Sequence, residues 1–178
     1  MADLVNVLSG LVDSQGNILI PGIKELVAPL TEEEKGLYST ISYSMDDFHE
    51  SLGSKASIFP TKEQTLMGRW RYPSLSIHGV EGAYSAAGAK TVIPAKVIGK
   101  FSIRTVPNME SNEVTKLVKD HIKAHFAKLN TKNTIDVSLL HDGKWWVASP
   151  KHWNFSAASK AVEQVFGVPP DMTREGGR

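Results

Sequence analysis

The sequence predicts an α+β fold, because amphipathic helical stripes and alternating strand patterns both occur along the chain. The Asp142-Gly143 pair adds a hairpin signal typical of paired strands. With 178 residues, the chain has the length of one domain with a short extension, enough for a core without disulfide staples. Hydrophobic residues make up 41% and charged residues 22%, which excludes a disordered, fibrous or low-complexity chain.

Charge and cysteine content narrow the functional classes. Lys and Arg total 20 against 19 Asp and Glu, so the net charge gives no indication of a nucleic-acid partner. The chain has no cysteine, which excludes disulfides, thiolate nucleophiles and zinc sites with sulfur ligands. Its apolar stretches are far shorter than the roughly 20 residues of a membrane span, and no signal peptide opens the chain. We therefore expect a cytoplasmic protein without a membrane partner.

The first residues predict a short amphipathic helix followed by an irregular crossing. Apolar side chains recur at spacings of three and four over residues 4–12, and Asp3 near the start complements the helix dipole. Residues 13–29 contain two glycines, two prolines and an asparagine. This density of turn formers excludes a long helix and predicts only a few extended residues.

Two further helices are predicted from their N-caps. Thr31 and Glu34 have the spacing of a capping box, in which the hydroxyl and the carboxylate each satisfy a backbone N–H group. Ser44, followed by two aspartates, indicates a short helix that ends before Gly53.

The segment RWRYP at residues 69–73 mixes two cations with two aromatic rings. Arg stems packed over such rings are common on protein surfaces, which favours a structural role over a stacking surface.

The central part of the chain predicts two strands and no phosphate loop. Residues 77–90 contain three glycines and four alanines, which permits close backbone approach, but they lack the Gly-Lys-Ser/Thr ending of a P-loop. Residues 91–98 are β-branched and apolar, and residues 100–106 alternate, so we expect two strands joined near Gly99. Arg104 then lies on the polar face of the second strand.

A long helix is predicted after Pro107 and Asn108, with Ser111 at its start. Its apolar stripe comprises Val114, Leu117, Val118, Ile122, Phe126 and Leu129. His121 and His125 lie four residues apart on this helix, so both imidazoles could face one metal ion. Both fall within the apolar stripe and no third ligand is evident, which favours packed, hydrogen-bonded histidines.

A hairpin and a final helix complete the predicted elements. Residues 135–139 alternate, and Asp142-Gly143 forms a two-residue turn signal before residues 144–148. Apolar side chains at helical spacing over residues 155–166 indicate a last helix, which ends at Gly167 and two prolines.

Pattern alone identifies no complete active site. The chain has no G-x-S-x-G motif of a serine hydrolase. Arg104 on the polar face of a strand is suited to bidentate recognition of a carboxylate, although a surface ion pair is the commoner role of such an arginine. The candidates that remain without an assigned role are His78, Thr91, His141 and the terminal residues Arg174, Glu175, Gly176 and Gly177.

Long runs of the sequence resemble a known enzyme family. The resemblance is carried by RWRYPSLSIHGVEGAYSAAGAKTVIPAKVIGKFSIRTVPNM, by FGVPPDMTREGG and by the opening MADLVNVLSGLVDSQGNILIPGI. These runs closely resemble dipeptidases of the carnosine dipeptidase type, which belong to the aminoacylase and carboxypeptidase metallopeptidase superfamily. The match covers essentially the whole chain.

The resemblance implies a fold and a domain organisation. Residues 1–150 would form the lid, or dimerisation domain, a ferredoxin-like two-layer α+β sandwich, and residues 151–178 would begin the return into the catalytic domain. The family's first lid strand and its oxyanion-binding histidine would precede Met1, so we expect the sheet to lack its first strand. The chain then looks like an interior piece of a longer homodimeric hydrolase.

The resemblance also implies a cofactor and an activity. Family members hold two divalent metal ions, zinc or manganese, through His, Asp and Glu residues of the catalytic domain, and hydrolyse dipeptides with broad specificity. Those ligand motifs are missing from this chain. We therefore expect it to bind no metal and to be inactive alone.

Several site residues follow from position in the matching runs. Thr91 resembles a threonine that reaches into the neighbouring subunit's active site. Arg104 resembles the arginine that holds the substrate's C-terminal carboxylate, and His141 resembles a pocket histidine.

A further group of site residues lies at the end of the chain. Glu175, Gly176 and Gly177 resemble a loop that contacts the substrate backbone. The residue that follows this loop is a serine in the family, whereas it is Arg178 here.

Two alternatives stay open. A non-catalytic dimerisation or peptide-binding module predicts a stable dimer, whereas an interior piece of an enzyme predicts exposed apolar surface. RNA binding through Trp70 and Tyr72 has little support, since the aromatic RNP pattern is absent. The last helix, residues 155–166, resembles the return into the catalytic domain, so we expect its apolar face to lack a partner and this helix to be the least stable.

Overall fold

The computed structural model describes residues 1–174, which contain six α-helices, a short 3-10 helix at Lys24–Leu26 and a two-stranded sheet. In chain order these elements are α1 (Ala2–Ser9), α2 (Glu32–Thr40), α3 (Met45–Leu52), α4 (Lys62–Trp70), β1 (Ser74–Glu81), β2 (Ile98–Arg104), α5 (Ser111–Lys128) and α6 (Trp153–Phe166). The predicted α+β class is confirmed. The chain divides into two compact units, of which the first comprises residues 1–27 and 73–145 and the second residues 28–72 and the described residues from 146 onward.

The helix boundaries follow the capping signals of the sequence. α3 begins after Ser44, which forms a reciprocal capping box with Asp47, and it ends at Gly53 in the left-handed conformation. α2 begins after Thr31, whose hydroxyl accepts a hydrogen bond from the Glu34 N–H at 3.1 Å. The Glu34 carboxylate, predicted to complete a second capping box, forms ion pairs with two arginines instead. α1, α5 and α6 lie where the apolar periodicity predicts them.

α4 is absent from the predicted elements, although its N-cap carries a recognisable signal. The Thr61 hydroxyl accepts a hydrogen bond from the Gln64 N–H at 3.3 Å, which is the S/T-x-x-Q spacing of a helix start. The first residues of RWRYP end this helix, and the Arg69 guanidinium lies 5.8 Å from the centre of the Trp70 ring. The structural interpretation of the segment is therefore confirmed.

β1 and β2 form an antiparallel ladder that contacts α1. The register places Ser74 opposite Arg104 at one end, and a shift in the middle of β1 leaves His78 as an inserted residue. Gly99 of β2 lies against α1, where a Cβ atom would stand 2.8 Å from the Leu4 side chain. A larger residue at this position would require the Leu4 side chain to shift.

The predicted strand over residues 91–98 is wrong. Residues 91–97 belong to no strand, and β2 begins at Ile98. Pro94 lies within the β-branched run and cannot donate a ladder hydrogen bond. The partner of β2 is β1, whose alternation is interrupted by Gly79 and by the register shift before it, so periodicity gives only a weak signal there.

The predicted hairpin over residues 135–148 is also wrong, since none of these residues belongs to a strand. Ile135 and Val137 nevertheless pack against the core of the first unit, as the alternation predicts, whereas Leu139 is 51% exposed. A strand also needs a neighbouring backbone to donate and accept its hydrogen bonds. Side-chain alternation carries no information about that neighbour.

Each unit has its own apolar core. Among the described residues, the larger core lies in the first unit and comprises Val7, Leu8, Leu11, Ile18, Ile20, Ile23, Leu75, Val106, Met109, Val114, Val118 and Ile122. The smaller core, in the second unit, comprises Tyr38, Ile41 and Leu66. α6 has no buried side chain, and its Val165 and Phe166 are 75% and 72% exposed. Within residues 1–174, no helix is long and apolar enough to cross a membrane.

Candidate functional site

Arg104 is held at the end of β2 by the ladder with β1. Its neighbour Ile103 packs against the core of the first unit, whereas Arg104 is half-buried. This partial burial lowers the pKa of the Arg104 guanidinium, although an arginine stays protonated at neutral pH. A partly desolvated cation with a planar fork of donors is suited to binding a carboxylate.

A tight turn connects β2 to α5 and fixes the surroundings of Arg104. Val106 and Met109 are both buried, and the Met109 N–H donates to the Val106 carbonyl at 3.2 Å. Between them, Asn108 adopts a positive φ of 74°, a conformation that asparagine tolerates better than most residues. The start of α5 is thereby anchored on the core close to the carboxyl end of β2.

The segment around His141 is tied to the start of α5. The Ser111 hydroxyl donates to the Asp142 carboxylate at 2.6 Å, and the Trp145 indole N–H donates to the Glu110 carboxylate at 3.0 Å. Residues 109–112 and 142–145 line a cavity of about 350 Å³ between these two hydrogen bonds, a volume at the small end of the range for ligand pockets. His141 is exposed and directly precedes the cavity wall.

Thr91 lies on the long connection between β1 and β2, residues 82–97. The base of this connection is closed by Gly82, whose φ is +88° and whose Cβ, if present, would stand 2.3 Å from the Lys96 carbonyl oxygen. Thr91 is exposed, and Ile93 is 93% exposed. The connection therefore presents Thr91 to the surroundings of the chain and not to its core.

The structure thus places the three candidates on three segments of the first unit. Arg104 ends β2, His141 directly precedes the segment 142–145 that lines the cavity, and Thr91 lies on an exposed connection. Glu175, Gly176 and Gly177, together with Arg178, lie outside the described residues.

The two helical histidines do not form a metal site. His121 Nε2 lies 2.8 Å from the Gly10 carbonyl oxygen, so His121 is a packed, hydrogen-bonded residue as predicted. His125 packs close to the same glycine, and the two rings are 6.2 Å apart. Over residues 1–174, no group of three or more His, Cys, Asp or Glu side chains could hold a metal ion. The described residues therefore do not fit a metal centre.

The second unit contains a polar cluster that no sequence pattern predicts. Arg71 is 3% exposed, and its guanidinium contacts the carboxylate of Glu34 in α2. Glu34 in turn pairs with Arg174, the last described residue. A near-complete burial of one arginine within RWRYP has no signature in periodicity or composition.

The chain is similar to known proteins over most of its length. The family model of the peptidase dimerisation domain matches residues 4–130. The Cys-Gly metallodipeptidase DUG1 of Saccharomyces cerevisiae is 59% identical over 177 residues, which are 99% of this chain and 37% of that protein. The chain therefore spans little more than a third of the length of the curated relatives it matches.

Two solved structures are similar over nearly the whole chain. A structure of the dipeptidase Dug1p from Saccharomyces cerevisiae has a TM-score of 0.93 and 59% identity, covering 100% of this chain and 37% of that one. Human carnosine dipeptidase 1 has a TM-score of 0.90 and 48% identity, covering 99% and 38%. The likeness extends through both units of the chain.

Proposed function

The chain belongs to the peptidase dimerisation domain family, and from this premise we propose that it is the lid and dimerisation segment of a metal-dependent dipeptidase. The relative in yeast and the human structure are both named as dipeptidases. The observation that carries the proposal is the half-buried guanidinium of Arg104 at the end of β2.

Arg104 would bind the C-terminal carboxylate of a dipeptide. Every dipeptide carries this carboxylate whatever its side chains, so an anchor directed at it accepts many substrates. Its guanidinium can form two parallel hydrogen bonds with the two carboxylate oxygens, which fixes both the position and the plane of the group. Partial burial strengthens this charged interaction relative to one in bulk water. Broad specificity follows from an anchor that reads only the backbone end of the substrate.

His141 and Thr91 would complete the substrate pocket in two different ways. His141 directly precedes the segment that lines the cavity at the start of α5, where its imidazole can donate or accept a hydrogen bond. Thr91 would act across a homodimer, because its exposed connection carries apolar side chains such as Ile93 outward. Exposed apolar groups of this kind are typical of surfaces that a partner covers.

The chemistry of hydrolysis would come from elsewhere in the dipeptidase. The described residues do not fit the metal ions that the relatives' names imply, so the contribution of this chain is to bind and orient the substrate. Binding groups without a metal or a general base give no route to hydrolysis. We expect the 178-residue chain to show no turnover of dipeptides with added zinc or manganese.

A hybrid enzyme tests the proposal. This chain would replace the matching 37% of the Saccharomyces cerevisiae Cys-Gly metallodipeptidase, and hydrolysis of Cys-Gly would be measured together with the mass of the assembly in solution. We expect an active dimer. Arg104→Ala should lower kcat/KM by about tenfold to a hundredfold, the loss of one charged hydrogen-bonded contact, whereas the exposed Arg69→Ala serves as the matched control.

Three outcomes contradict the proposal. A folded, dimeric hybrid without activity would favour the alternative, a non-catalytic dimerisation or peptide-binding module. Equal effects of Arg104→Ala and Arg69→Ala on kcat/KM would contradict the role of Arg104 as the carboxylate anchor. Turnover by the 178-residue chain alone, with stoichiometric metal binding in calorimetry, would show that the chain contains a metal centre that the described residues do not form.

A further inference from the structure

The connection between β1 and β2, residues 82–97, contains an ordered bend although none of its residues belongs to a strand or helix. The Tyr84 hydroxyl donates to the Ala87 carbonyl at 2.9 Å, and residues 86–88 bend the chain. Gly88 has a φ of +90°, a conformation that glycine adopts without steric cost. The Tyr84 hydroxyl therefore ties the beginning of the connection to its bend.

The Tyr84 ring contacts a second point of the connection, beyond the bend. Lys90 Nζ lies 5.9 Å from the centre of this ring, within the range of a cation–π contact. Thr91 directly follows Lys90, and both residues are exposed. One side chain thus contacts both the bend and the residue before Thr91.

The two ends of the connection are held by the ladder. Glu81, the last residue of β1, lies opposite Ile98, the first residue of β2, and the Glu81 carboxylate forms an ion pair with Lys100. No residue from 82 to 97 is buried. Because no core side chain orders the middle of the connection, its order depends on local contacts such as those of Tyr84.

We propose that Tyr84 is a positioning residue for Thr91, because it holds the bend and Lys90 and thereby presents Thr91 in one conformation to a neighbouring subunit. This inference rests on the proposed function, in which Thr91 acts across a homodimer. Tyr84 touches no substrate in this account and acts through Thr91. A preordered segment loses less conformational entropy when a subunit and a substrate close on it, so the order increases affinity.

The test uses the hybrid enzyme with Cys-Gly as the substrate. Tyr84→Phe removes the hydroxyl that donates to Ala87 and keeps the ring beside Lys90. We expect it to raise KM by about threefold to tenfold, the loss of one hydrogen bond, with kcat within about twofold. Tyr72→Phe is the matched control: Tyr72 and Tyr84 are both 39% exposed, and the Tyr72 ring also lies beside a cation, 5.2 Å from the Arg71 guanidinium.

A double-mutant cycle separates positioning from a general structural effect. Thr91→Val keeps the shape of the side chain and removes its hydroxyl. If Tyr84 acts through Thr91, adding Tyr84→Phe to Thr91→Val should raise KM no further than Thr91→Val alone. Tyr84→Phe should also speed amide exchange at residues 85–91 of the hybrid dimer and leave exchange in β1 and β2 unchanged.

The outcomes distinguish this inference from the proposed function. An inactive hybrid with the natural residues contradicts the proposed function and the inference together. An active hybrid contradicts only the positioning role if Tyr84→Phe and Tyr72→Phe have equal effects on KM, or if the effects of Tyr84→Phe and Thr91→Val multiply. Conversion of the dimer to a monomer by Tyr84→Phe also contradicts that role, since Tyr84 would then act on assembly. A KM raised by Tyr84→Phe, and raised no further in the double variant than in Thr91→Val, supports it.

Discussion

The two units of the chain are stabilised by different means. The first unit is built on a continuous core of buried aliphatic side chains contributed by α1, α5, β1 and the crossing after α1. The second has a core of only three buried residues and adds a set of charged contacts centred on Glu34 and Arg71. Apolar burial tolerates changes of pH and salt, whereas charged contacts depend on every partner being present. We therefore expect the first unit to be destabilised mainly by loss of apolar burial, and the second mainly by loss of a charged partner.

The largest expected effect is a cavity in the first core. Leu11 is 0% exposed, and Leu11→Ala should lower the free energy of unfolding of the first unit by about 3–4 kcal/mol, from lost burial and an unfilled cavity. Urea denaturation with amide exchange read in α5 measures it. The control is Val5→Ala in the same region, since Val5 is 55% exposed and should cost under about 1 kcal/mol. Equal losses for the two variants would contradict the account of the core.

The second unit should be broken by removing one charge. Glu34→Ala leaves the buried Arg71 without its carboxylate, and we expect a loss of about 2–3 kcal/mol, read from amide exchange in α2 and α4. Glu32→Ala is the matched control, because Glu32 is 90% exposed and lies 3.8 Å from Lys35. An exposed pair of this kind contributes about 0.5 kcal/mol or less. Equal losses of stability for Glu34→Ala and Glu32→Ala would contradict the view that charged contacts around Arg71 stabilise the second unit.

Two glycine-to-alanine substitutions, one in each unit, should change stability in opposite directions. Gly99→Ala should destabilise the first unit by about 1–2 kcal/mol, because the new Cβ would stand 2.8 Å from Leu4. Gly36→Ala in α2 has open space around its Cβ and should stabilise the second unit by about 0.5–1 kcal/mol. Thermal unfolding of both variants measures the two shifts. A stabilised Gly99→Ala would show that packing against α1 is looser than the structure indicates, and a destabilised Gly36→Ala would contradict the open position in α2.

Elements whose signals are local could be predicted from the sequence. Caps predicted α2 and α3, and periodicity predicted α1, α5 and α6. It failed where the decisive partner is distant in sequence: β1 pairs with β2 across the connection at residues 82–97, and the segment at 135–148 has inward side chains without a neighbouring strand. The same limit applies to the site. A resemblance supplied roles for Arg104 and His141, but no pattern indicates that Arg71 is buried.

The smallest expected effect concerns pH, and it appears in both units. Hydrogen bonds from Asn133 and Thr131 lower the pKa of Asp3 in the first unit, and hydrogen bonds from Ser44 lower the pKa of Asp47 in the second. A carboxyl whose folded pKa lies below its unfolded value, about 4, stabilises the fold above that value. The contribution is lost as pH falls through the folded pKa.

Both units should therefore lose stability below about pH 4, and single substitutions assign the loss. Asp3→Asn should reduce the loss of stability at acid pH in the first unit alone, whereas Asp47→Asn should reduce it in the second unit alone. Amide exchange in α5 and in α3, followed from pH 6 to pH 3, measures the two losses separately. If either variant reduced the acid loss of stability in both units, the units would unfold together. The aliphatic core and the charged cluster would then share a single unfolding transition.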